Sequence, residues 1–373
     1  CSSITPSSFR FLRDIGAWKH IDQQRIQAYH EMQVWDGVSD SRIEFKWPEL
    51  QTECTEIAYM TENQNLISAL LKSIDSIGGV SIFDKKQVVD IGFGQESDDY
   101  DLSGWPILQL NDGKSLAARL LVGADGANSP VRAFAGIDSS GWDYERVGVV
   151  ATLELEPKSS NNLGLKTAYQ RFLPTGPVAM LPLPGDYSTL VWTTTSVLAS
   201  HLKTLSSKDL TAMINAAFRL SPIDLSYMHS MESGQADELD WRSKHSKFDE
   251  KRIPRTVVQT QSGSVASFPL KLRHADTYIG ERVALIGDAA HTTHPLAGQG
   301  LNQGQADVQS LFRSIAYAVT HGQDIGTKMA LESYNAERYA ANNLLLGVVD
   351  KLHKLYSFQR GPLVPLRSLG LEI

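Results

Sequence analysis

One stretch decides the fold of this chain: RVALIGDAAHTTHPLAGQGLN, residues 282–302. Its first part, up to Ile286, is apolar and typical of a buried strand, and Gly287 and Asp288 follow where that strand ends. Open α/β sheets bind ligands beyond the carboxyl ends of their strands. A carboxylate at that position can accept two hydrogen bonds from neighbouring sugar hydroxyls. The stretch therefore predicts an α/β fold with a ligand site at Asp288.

The glycine-rich end of the same stretch suits a flat ligand. Gly298 and Gly300 lack a Cβ, so the backbone can pass close to such a ligand. A helix is predicted over residues 303–318, which puts the amides of residues 300–302 at its N-terminus. Their partial positive charge favours an anion by about 0.3–1 kcal/mol when exposed and up to ~2 kcal/mol when partly buried. The alternative is a glycine-rich turn that only caps a helix.

A second motif, LLVGADGANSPVR, covers residues 120–132. An apolar strand again ends in glycine and aspartate, and a helix can begin in the polar segment that follows. Asp125 could accept hydrogen bonds from a ligand or from amides of the loop. The other interpretation is that Asp125 and Gly126 only form a tight turn.

Composition excludes several classes of protein. The 373 residues carry a formal net charge of −7, which argues against a nucleic-acid partner, since such a partner needs a basic surface. Two cysteines, Cys1 and Cys54, provide neither a disulfide framework nor a four-cysteine zinc site, and no metal site is predicted. No apolar run reaches the roughly 18 residues of a membrane-spanning helix.

Periodicity predicts the elements that lead up to the second motif. Helices are expected over residues 3–18 and 65–77, the latter followed by a strand at 80–83 as in an α/β unit. Further strands are expected at 32–35, 42–45, 87–91 and 106–110, the last two as an antiparallel meander.

Residues 138–265 have a different pattern, with strands expected at 149–155, 178–183 and 189–194 and a helix at 210–220. We interpret this interval as an inserted substrate domain, whose sheet covers the ligand. Packing is the common role of buried large side chains, but some of them could line an aromatic pocket. The candidates for the pocket are Arg171, Phe172, Trp192 and Trp241.

The two motifs resemble the downstream signatures of the class A flavoprotein monooxygenases, the p-hydroxybenzoate hydroxylase type. Other stretches are similar to the mitochondrial ubiquinone-biosynthesis branch of that family, and the similarity spans nearly the whole chain. These stretches are residues 2–8, 32–36, 62–63, 170–177 and 294–300.

The resemblance implies a Rossmann-like domain that binds FAD. Its parts would be residues 1–137 and 266–340, around the substrate domain at 138–265, with a C-terminal helical segment at 341–373. Family members open with a G-x-G-x-x-G loop, which is absent here, so we expect that loop to lie upstream of Cys1. The residues implied to bind FAD are Asp125, Gly126, Gly287, Asp288, Pro295, Ala297, Gly298, Gln299, Gly300, Leu301 and Asn302.

The activity implied is hydroxylation of ring carbon 5 of a polyprenyl-4-hydroxybenzoate. Electrons would come from NADPH through ferredoxin reductase and ferredoxin, and other ubiquinone-biosynthesis proteins would be partners. The implied location is the matrix face of the mitochondrial inner membrane, with peripheral contact. Two alternatives stay open: a non-catalytic flavoprotein-like subunit of a lipid-biosynthesis complex, and an NADPH-dependent hydroxylase of a soluble phenol.

Two features allow both a structural and a functional interpretation. His291 and His294 flank the glycine-rich loop, where a histidine could help to deprotonate a phenol or could simply hold the loop by hydrogen bonds. Apolar residues at helical spacing between Leu345 and Tyr356 predict a helix, with Lys351, Lys354 and two arginines nearby. That helix could pack on the protein or touch an anionic membrane or a partner.

Overall fold

The computed structural model describes residues 1–46, 56–99, 101–157, 166–246, 248–293 and 298–357. The helices are α1 Pro6–Asp14, α2 Asn63–Ile77, α3 Pro130–Phe134, α4 Ser196–Thr204, α5 Ser207–Arg219, α6 Pro222–Ser230, α7 Gln235–His245, α8 Gly300–Thr320 and α9 Lys328–Ser357. The strands are β1 Ser2–Ile4, β2 Ile26–Tyr29, β3 Glu31–Asp36, β4 Arg42–Lys46, β5 Ala58–Thr61, β6 Val88–Phe93, β7 Pro106–Leu110, β8 Ser115–Ala117, β9 Leu121–Gly123, β10 Ser139–Leu155, β11 Thr167–Leu173, β12 Gly176–Pro182, β13 Tyr187–Thr195, β14 Val257–Thr260, β15 Ala266–Ala275, β16 Ile279–Gly280, β17 Val283–Leu285 and β18 His291–Thr292.

A large sheet organises the centre of the molecule. Its strands follow the order β18-β15-β10-β13-β12-β11-β3-β4, and β14 also pairs with β10. Neighbours run antiparallel except β3 and β11, which are parallel. Residues 138–265, the predicted substrate domain, supply the middle strands of this sheet. The strands at its two ends come from outside that interval. The domain boundaries stay a prediction.

The two faces of this sheet have different roles. Helices α4 to α7 cover one face and enclose a core in which Trp192, Leu190, Met213 and Phe218 are almost fully buried. The alternation of side chains along each strand turns every second residue to the other face. That other face, on β10 to β13, looks into a large cavity.

A smaller sheet brings the two motifs together. Strands β17 and β9 are parallel, with Val283 opposite Leu121 and Leu285 opposite Gly123, so both motifs leave the sheet at the same edge. Helices α3, α8 and α9 contact this sheet or the turn that follows it. The mixed α/β fold class is confirmed. No helix in the described ranges combines the length and apolar character that crossing a bilayer requires.

The structure corrects the expected elements in two places. The helix predicted over residues 3–18 begins only at Pro6, because the residue before a proline avoids the helical region, and Thr5 caps the Ser8 amide instead. Residues 2–4 form β1, which pairs with β5. The strand expected at 80–83 is wrong, since these residues are irregular and exposed. The meander is confirmed as β6, β7 and β8.

Trp192 tests the helix-covered core. Its side chain is 0% exposed, so Trp192→Ala should lower the free energy of unfolding by about 3–5 kcal/mol through lost burial and a cavity. Trp241→Ala is the matched control: that side chain is 57% exposed, and the change should stay within about 0.5 kcal/mol. Urea unfolding followed by tryptophan fluorescence and circular dichroism measures both. Equal losses of unfolding free energy in the two variants would contradict the placement of Trp192 in the helix-covered core.

Candidate active site

The loop after β17 turns at two glycines. Gly287 has φ +59° and Gly298 has φ +58°, a left-handed conformation that glycine adopts without a Cβ penalty. A Cβ added to Gly304 would lie 3.4 Å from the Cα of Gly287, so the turn and α8 approach each other through two glycines. The predictions for His294, Pro295 and Ala297 fall on residues outside the described ranges.

A cavity of about 1140 Å³ separates this loop from the large sheet. The loop side brings together the residues that the sequence proposes as ligand contacts: Asp288, Gly298, Gln299, Gly300 and Leu301. The sheet side is mainly apolar, and its lining includes Val150, Ala151, Gln170, Pro177, Ala179, Leu181, Val191, Thr193, Phe268 and Leu270.

Asp288 stands in the cavity wall as a hydrogen-bond acceptor. Within the described part of the chain no donor reaches its carboxylate, and the side chain stays accessible from the cavity. Desolvation by the surrounding protein raises the pKa of the Asp288 carboxyl, and the nearby His291 acts in the opposite direction. A carboxylate in this position is suited to the hydroxyl groups of a bound ligand.

The first turn of α8 faces the same space. The N–H groups of residues 300–302 have no acceptor inside the helix, because the first amides of an α-helix never do. A Cβ added to Gly300 would meet nothing closer than Cγ2 of Thr293 at 3.8 Å. Neighbouring protein atoms would thus tolerate a Cβ at Gly300, and the absence of a side chain at this position leaves room in the cavity.

Asn302 ties the loop to the start of the chain. Its side-chain oxygen accepts from the Thr5 amide at 3.0 Å, and its side-chain nitrogen donates to the carbonyls of Ser3 at 2.9 Å and Gly298 at 3.1 Å. The side chain is buried and does not line the cavity. Asn302 thus positions the loop rather than offering its side chain to a ligand.

Asp307, in the middle of α8, holds the turn after β17. One carboxylate oxygen accepts from the Gly287 amide at 3.0 Å and from Nε2 of His291 at 2.6 Å. The other accepts from Nε of Arg338 at 2.8 Å and from Nδ2 of Asn342 at 3.0 Å. Burial would raise the pKa of Asp307, but the hydrogen bonds from His291, Arg338 and Asn342 lower it below its usual range.

The sequence analysis missed Asp307, although a signal was present. Asp307 lies on the same face of α8 as Leu311 and Ala318, at the four- and eleven-residue spacings of an apolar helix stripe. An acid in such a stripe needs buried partners, since an unpaired buried charge is costly. Two residues that the sequence proposed for the site belong to this network. The buried His291 ring holds the loop through its hydrogen bond to Asp307, and the Gly287 amide donates to the same carboxylate.

The second motif, residues 120–132, borders the cavity through Ala127, Asn128 and Arg132, but Asp125 does not line it. Asp125 is exposed, its carboxylate accepts from the Val131 amide at 3.1 Å, and it thereby caps α3, which agrees with the turn interpretation. Gly126, at φ +85°, makes that turn. Arg132 was not predicted, yet it lines the cavity and donates to the carbonyls of Ala289 at 2.8 Å and Ala127 at 2.8 Å.

Three of the four proposed pocket residues face away from the cavity. Arg171 and Trp192 lie on the helix-covered face of the sheet, and Arg171 donates to two carbonyls at the end of α5, each at 2.9 Å. Trp241 is exposed on α7, with the Arg242 guanidinium 5.9 Å from its ring. Phe172 is buried against Val34 and does not line the cavity. Alternation along a strand separates the two faces, but the packing of the helices decides which face is covered. The sequence pattern did not reveal that packing.

Positive charge dominates the described cavity wall. Arg132, Lys271 and Arg273 line it, and Asp288 is the carboxylate among the lining residues. Lys271 lies 3.6 Å from the carboxylate of Asp143, so that charge is partly balanced. The wall therefore suits a ligand that carries negative charge and hydroxyl groups.

Comparison with known proteins identifies the family. Residues 2–346 match the family described as FAD binding domain. The mitochondrial ubiquinone biosynthesis monooxygenase COQ6 of Saccharomyces cerevisiae is 42% identical over 386 residues, covering 100% of this chain and 78% of that protein. The human COQ6 protein is 37% identical over 372 residues, with the same shares. The chain belongs to the COQ6 family.

Solved structures show the same fold. The probable FAD-dependent monooxygenase PqsL of Pseudomonas aeruginosa superposes with a TM-score of 0.69 at 20% identity, covering 100% of this chain and 88% of that one. HpxO of Klebsiella pneumoniae, complexed with FAD and uric acid, has a TM-score of 0.66 at 17% identity, covering 99% and 82%.

As a COQ6 family member the chain is a flavin-dependent monooxygenase with FAD as its cofactor. The site fits such a group: no donor among the described residues reaches the Asp288 carboxylate, the first amides of α8 have no acceptor within the helix, and Gly300 leaves space beside them.

Asp307→Ala tests the loop network. Removing the carboxylate leaves Arg338 and the Gly287 amide without their partner, and should lower the free energy of unfolding by about 3–5 kcal/mol. Asp237→Ala is the matched control, since the Asp237–Lys208 pair is largely exposed and should contribute about 0–1 kcal/mol. Urea unfolding at neutral pH measures both, and equal effects would contradict the special role of Asp307.

The difference in unfolding free energy between wild type and Asp307→Ala should depend on pH. Because folding lowers the pKa of Asp307, its contribution is complete above the unfolded-state pKa of about 3.9 and disappears as the pH falls through the lower folded value. The stability difference between wild type and Asp307→Ala should therefore be constant near neutrality and shrink below about pH 4. A difference that grows on acidification is the contrary result.

Proposed function

We propose that this chain uses FAD to hydroxylate ring carbon 5 of a polyprenyl-4-hydroxybenzoate-type intermediate of ubiquinone biosynthesis. The observation that carries the proposal is the cavity, where the loop with Asp288 faces an apolar sheet wall across about 1140 Å³. The names of the COQ6 relatives support the pathway. In such a reaction one atom of O₂ enters the ring and the other leaves as water, with two electrons from a donor.

We assign the FAD contacts to the loop side of the cavity. Asp288 would accept hydrogen bonds from hydroxyls of the ribityl or sugar part, and the amides of residues 300–302 would stabilise negative charge on the pyrimidine side of the ring. Gly298, Gln299 and Leu301 complete this wall. Asp125 and Gly126 act indirectly, because their turn sets the position of Arg132.

When bound, FAD supplies the oxygen-activating chemistry, and the protein orients the substrate and excludes water. The apolar wall suits these tasks, since it offers a surface for a ring and for the start of a polyprenyl chain. His291 takes no direct part, because its ring is buried and Nε2 donates to the Asp307 carboxylate.

The electron donors and the location belong to the same proposal. We assign reduction to ferredoxin and ferredoxin reductase, with other ubiquinone-biosynthesis proteins as partners, at the matrix face of the inner membrane. Helix α9 packs through Leu346, which is 3% exposed, and presents Leu344, at 72%, and Val348, at 46%, to the outside. Lys354 lies 2.8 Å from Asp350, so this charge is partly compensated. These exposed apolar residues support peripheral membrane contact.

Asp288→Ala tests the cofactor assignment. Loss of a charged acceptor for hydroxyl groups should weaken FAD binding by about 1.5–3 kcal/mol, or roughly 10- to 150-fold. Titration of apoprotein with FAD, followed by quenching of flavin fluorescence, gives the affinity. Asp276→Ala is the control, because Asp276 is exposed outside the cavity lining and its loss should not change the affinity. Wild-type affinity in Asp288→Ala would remove Asp288 from the cofactor site.

Turnover of a prenylated 4-hydroxybenzoate tests the activity. The full-length FAD-loaded protein should give the ring-5 hydroxylated product, identified by mass spectrometry and proton NMR, when NADPH, ferredoxin and its reductase are all present. Anaerobic mixing should bleach the flavin absorbance with the complete donor system and not with NADPH alone.

The alternatives give other results in the same assays. Rapid bleaching by NADPH alone, with turnover of an unprenylated phenol, identifies a soluble-phenol hydroxylase and overturns the donor assignment. A flavin that neither donor reduces, with no product, identifies a non-catalytic subunit.

A further inference from the structure

One row of side chains crosses the sheet wall of the cavity. The strand registers put Gln170 of β11 opposite Ala179 of β12, Ala179 opposite Val191 of β13, and Val191 opposite Val150 of β10. All four residues line the cavity. Cross-strand partners share a face, so Gln170 is the polar member of an otherwise apolar row.

The Gln170 side chain is largely buried, and within the described residues its amide has no protein partner and borders the cavity. Gln170 is 7% exposed, and no hydrogen bond reaches its side chain from the described residues. Its neighbours on the same face of β11 are Ala168 and Phe172, which have no polar side-chain atoms to offer. An amide in an apolar wall that lacks a protein hydrogen bond is available to a ligand in the cavity. Ligand sites typically place a few such polar groups among apolar side chains, where they fix the orientation of the ligand.

We propose that the Gln170 side-chain amide binds the phenolic oxygen of the aromatic substrate and thereby orients the ring. An amide is suited to this, because Oε1 can accept from the neutral phenol hydroxyl and Nε2 can donate to its oxygen. The inference rests on the proposed function, since it assigns a residue to the ring substrate of the same cavity.

The charges of the cavity favour the phenolic oxygen over a carboxylate as the partner of Gln170. A carboxylate beside Gln170 would sit among Ala179, Val191 and Val150, where burial disfavours a full charge. Lys271 and Arg273, on β15 in the same cavity, suit a carboxylate much better. A ring held at both places would have one defined orientation along the sheet.

A pair of ligands tests this assignment in the full-length FAD-loaded protein. The ligands are a prenylated 4-hydroxybenzoate and the same compound with hydrogen in place of the 4-hydroxyl, and perturbation of the flavin spectrum reports their dissociation constants. Wild type should prefer the hydroxylated ligand at least about tenfold, since an unpaired polar group rejects an analogue that lacks its partner. In Gln170→Met this preference should fall to about threefold or less, with FAD affinity unchanged.

Turnover gives an independent readout of orientation. Gln170→Met should form less hydroxylated product per NADPH consumed and release more hydrogen peroxide, because a misplaced ring is not attacked. Gln33→Met is the matched control: Gln33 lies on the adjacent strand β3, outside the cavity lining, and bonds to Glu31 and Glu44. It should keep the wild-type ligand preference.

The outcomes separate the two claims. If wild type hydroxylates the substrate and Gln170→Met keeps the full preference, the assignment of Gln170 is wrong and the proposed function stands. If wild type neither binds nor hydroxylates the prenylated ligand, both are wrong. Circular dichroism checks folding, and Gln170→Leu replaces Gln170→Met if the latter does not fold.

Discussion

The carboxylate of Asp307 lies where the turn after β17, the helix α8 and the long helix α9 meet. It satisfies the Gly287 amide, His291, Arg338 and Asn342 with its two oxygens, at distances between 2.6 and 3.0 Å. A buried carboxylate with four donors fixes all of them, because losing one partner leaves a costly unpaired group. The position of Asp288 in the cavity wall follows from this arrangement, since Asp288 is the next residue after Gly287.

The remainder of the site depends on one sheet with two different faces. Helices α4 to α7 bury one face in an apolar core, which holds the strands in a fixed register. The opposite face then forms a rigid wall for the cavity. Arg132 links the second motif to the turn after β17, because its guanidinium donates to the carbonyl of Ala289. Side chains that take no part in ligand binding thus set the width of the cavity.

Local signals in the sequence were sufficient for much of this architecture. The strand, the glycines and Asp288 predicted one wall of the cavity, because an apolar run that ends in Gly-Asp has few other uses at a sheet edge. The opposite wall was not predictable in the same way. Phe172, Trp192 and Arg171 have the chemistry of a pocket, but register and sheet face decide where they point, and both depend on distant strands. Asp125 shows the same limit, since its carboxylate caps α3.

Strand β10 runs without interruption from Ser139 to Leu155. Near its start it pairs with β15, the neighbour of β18, as in Ser139 with Ala275, and further along it pairs with β13, as in Val149 with Trp192. A bulge between Asp143 and Val147 bends the strand without breaking it. Because one strand belongs to both regions, we expect them to unfold in one cooperative transition. Binding of FAD should then raise the thermal resistance of the distant sheet wall as well as that of the loop after β17, because a ligand stabilises the whole cooperative unit that it binds.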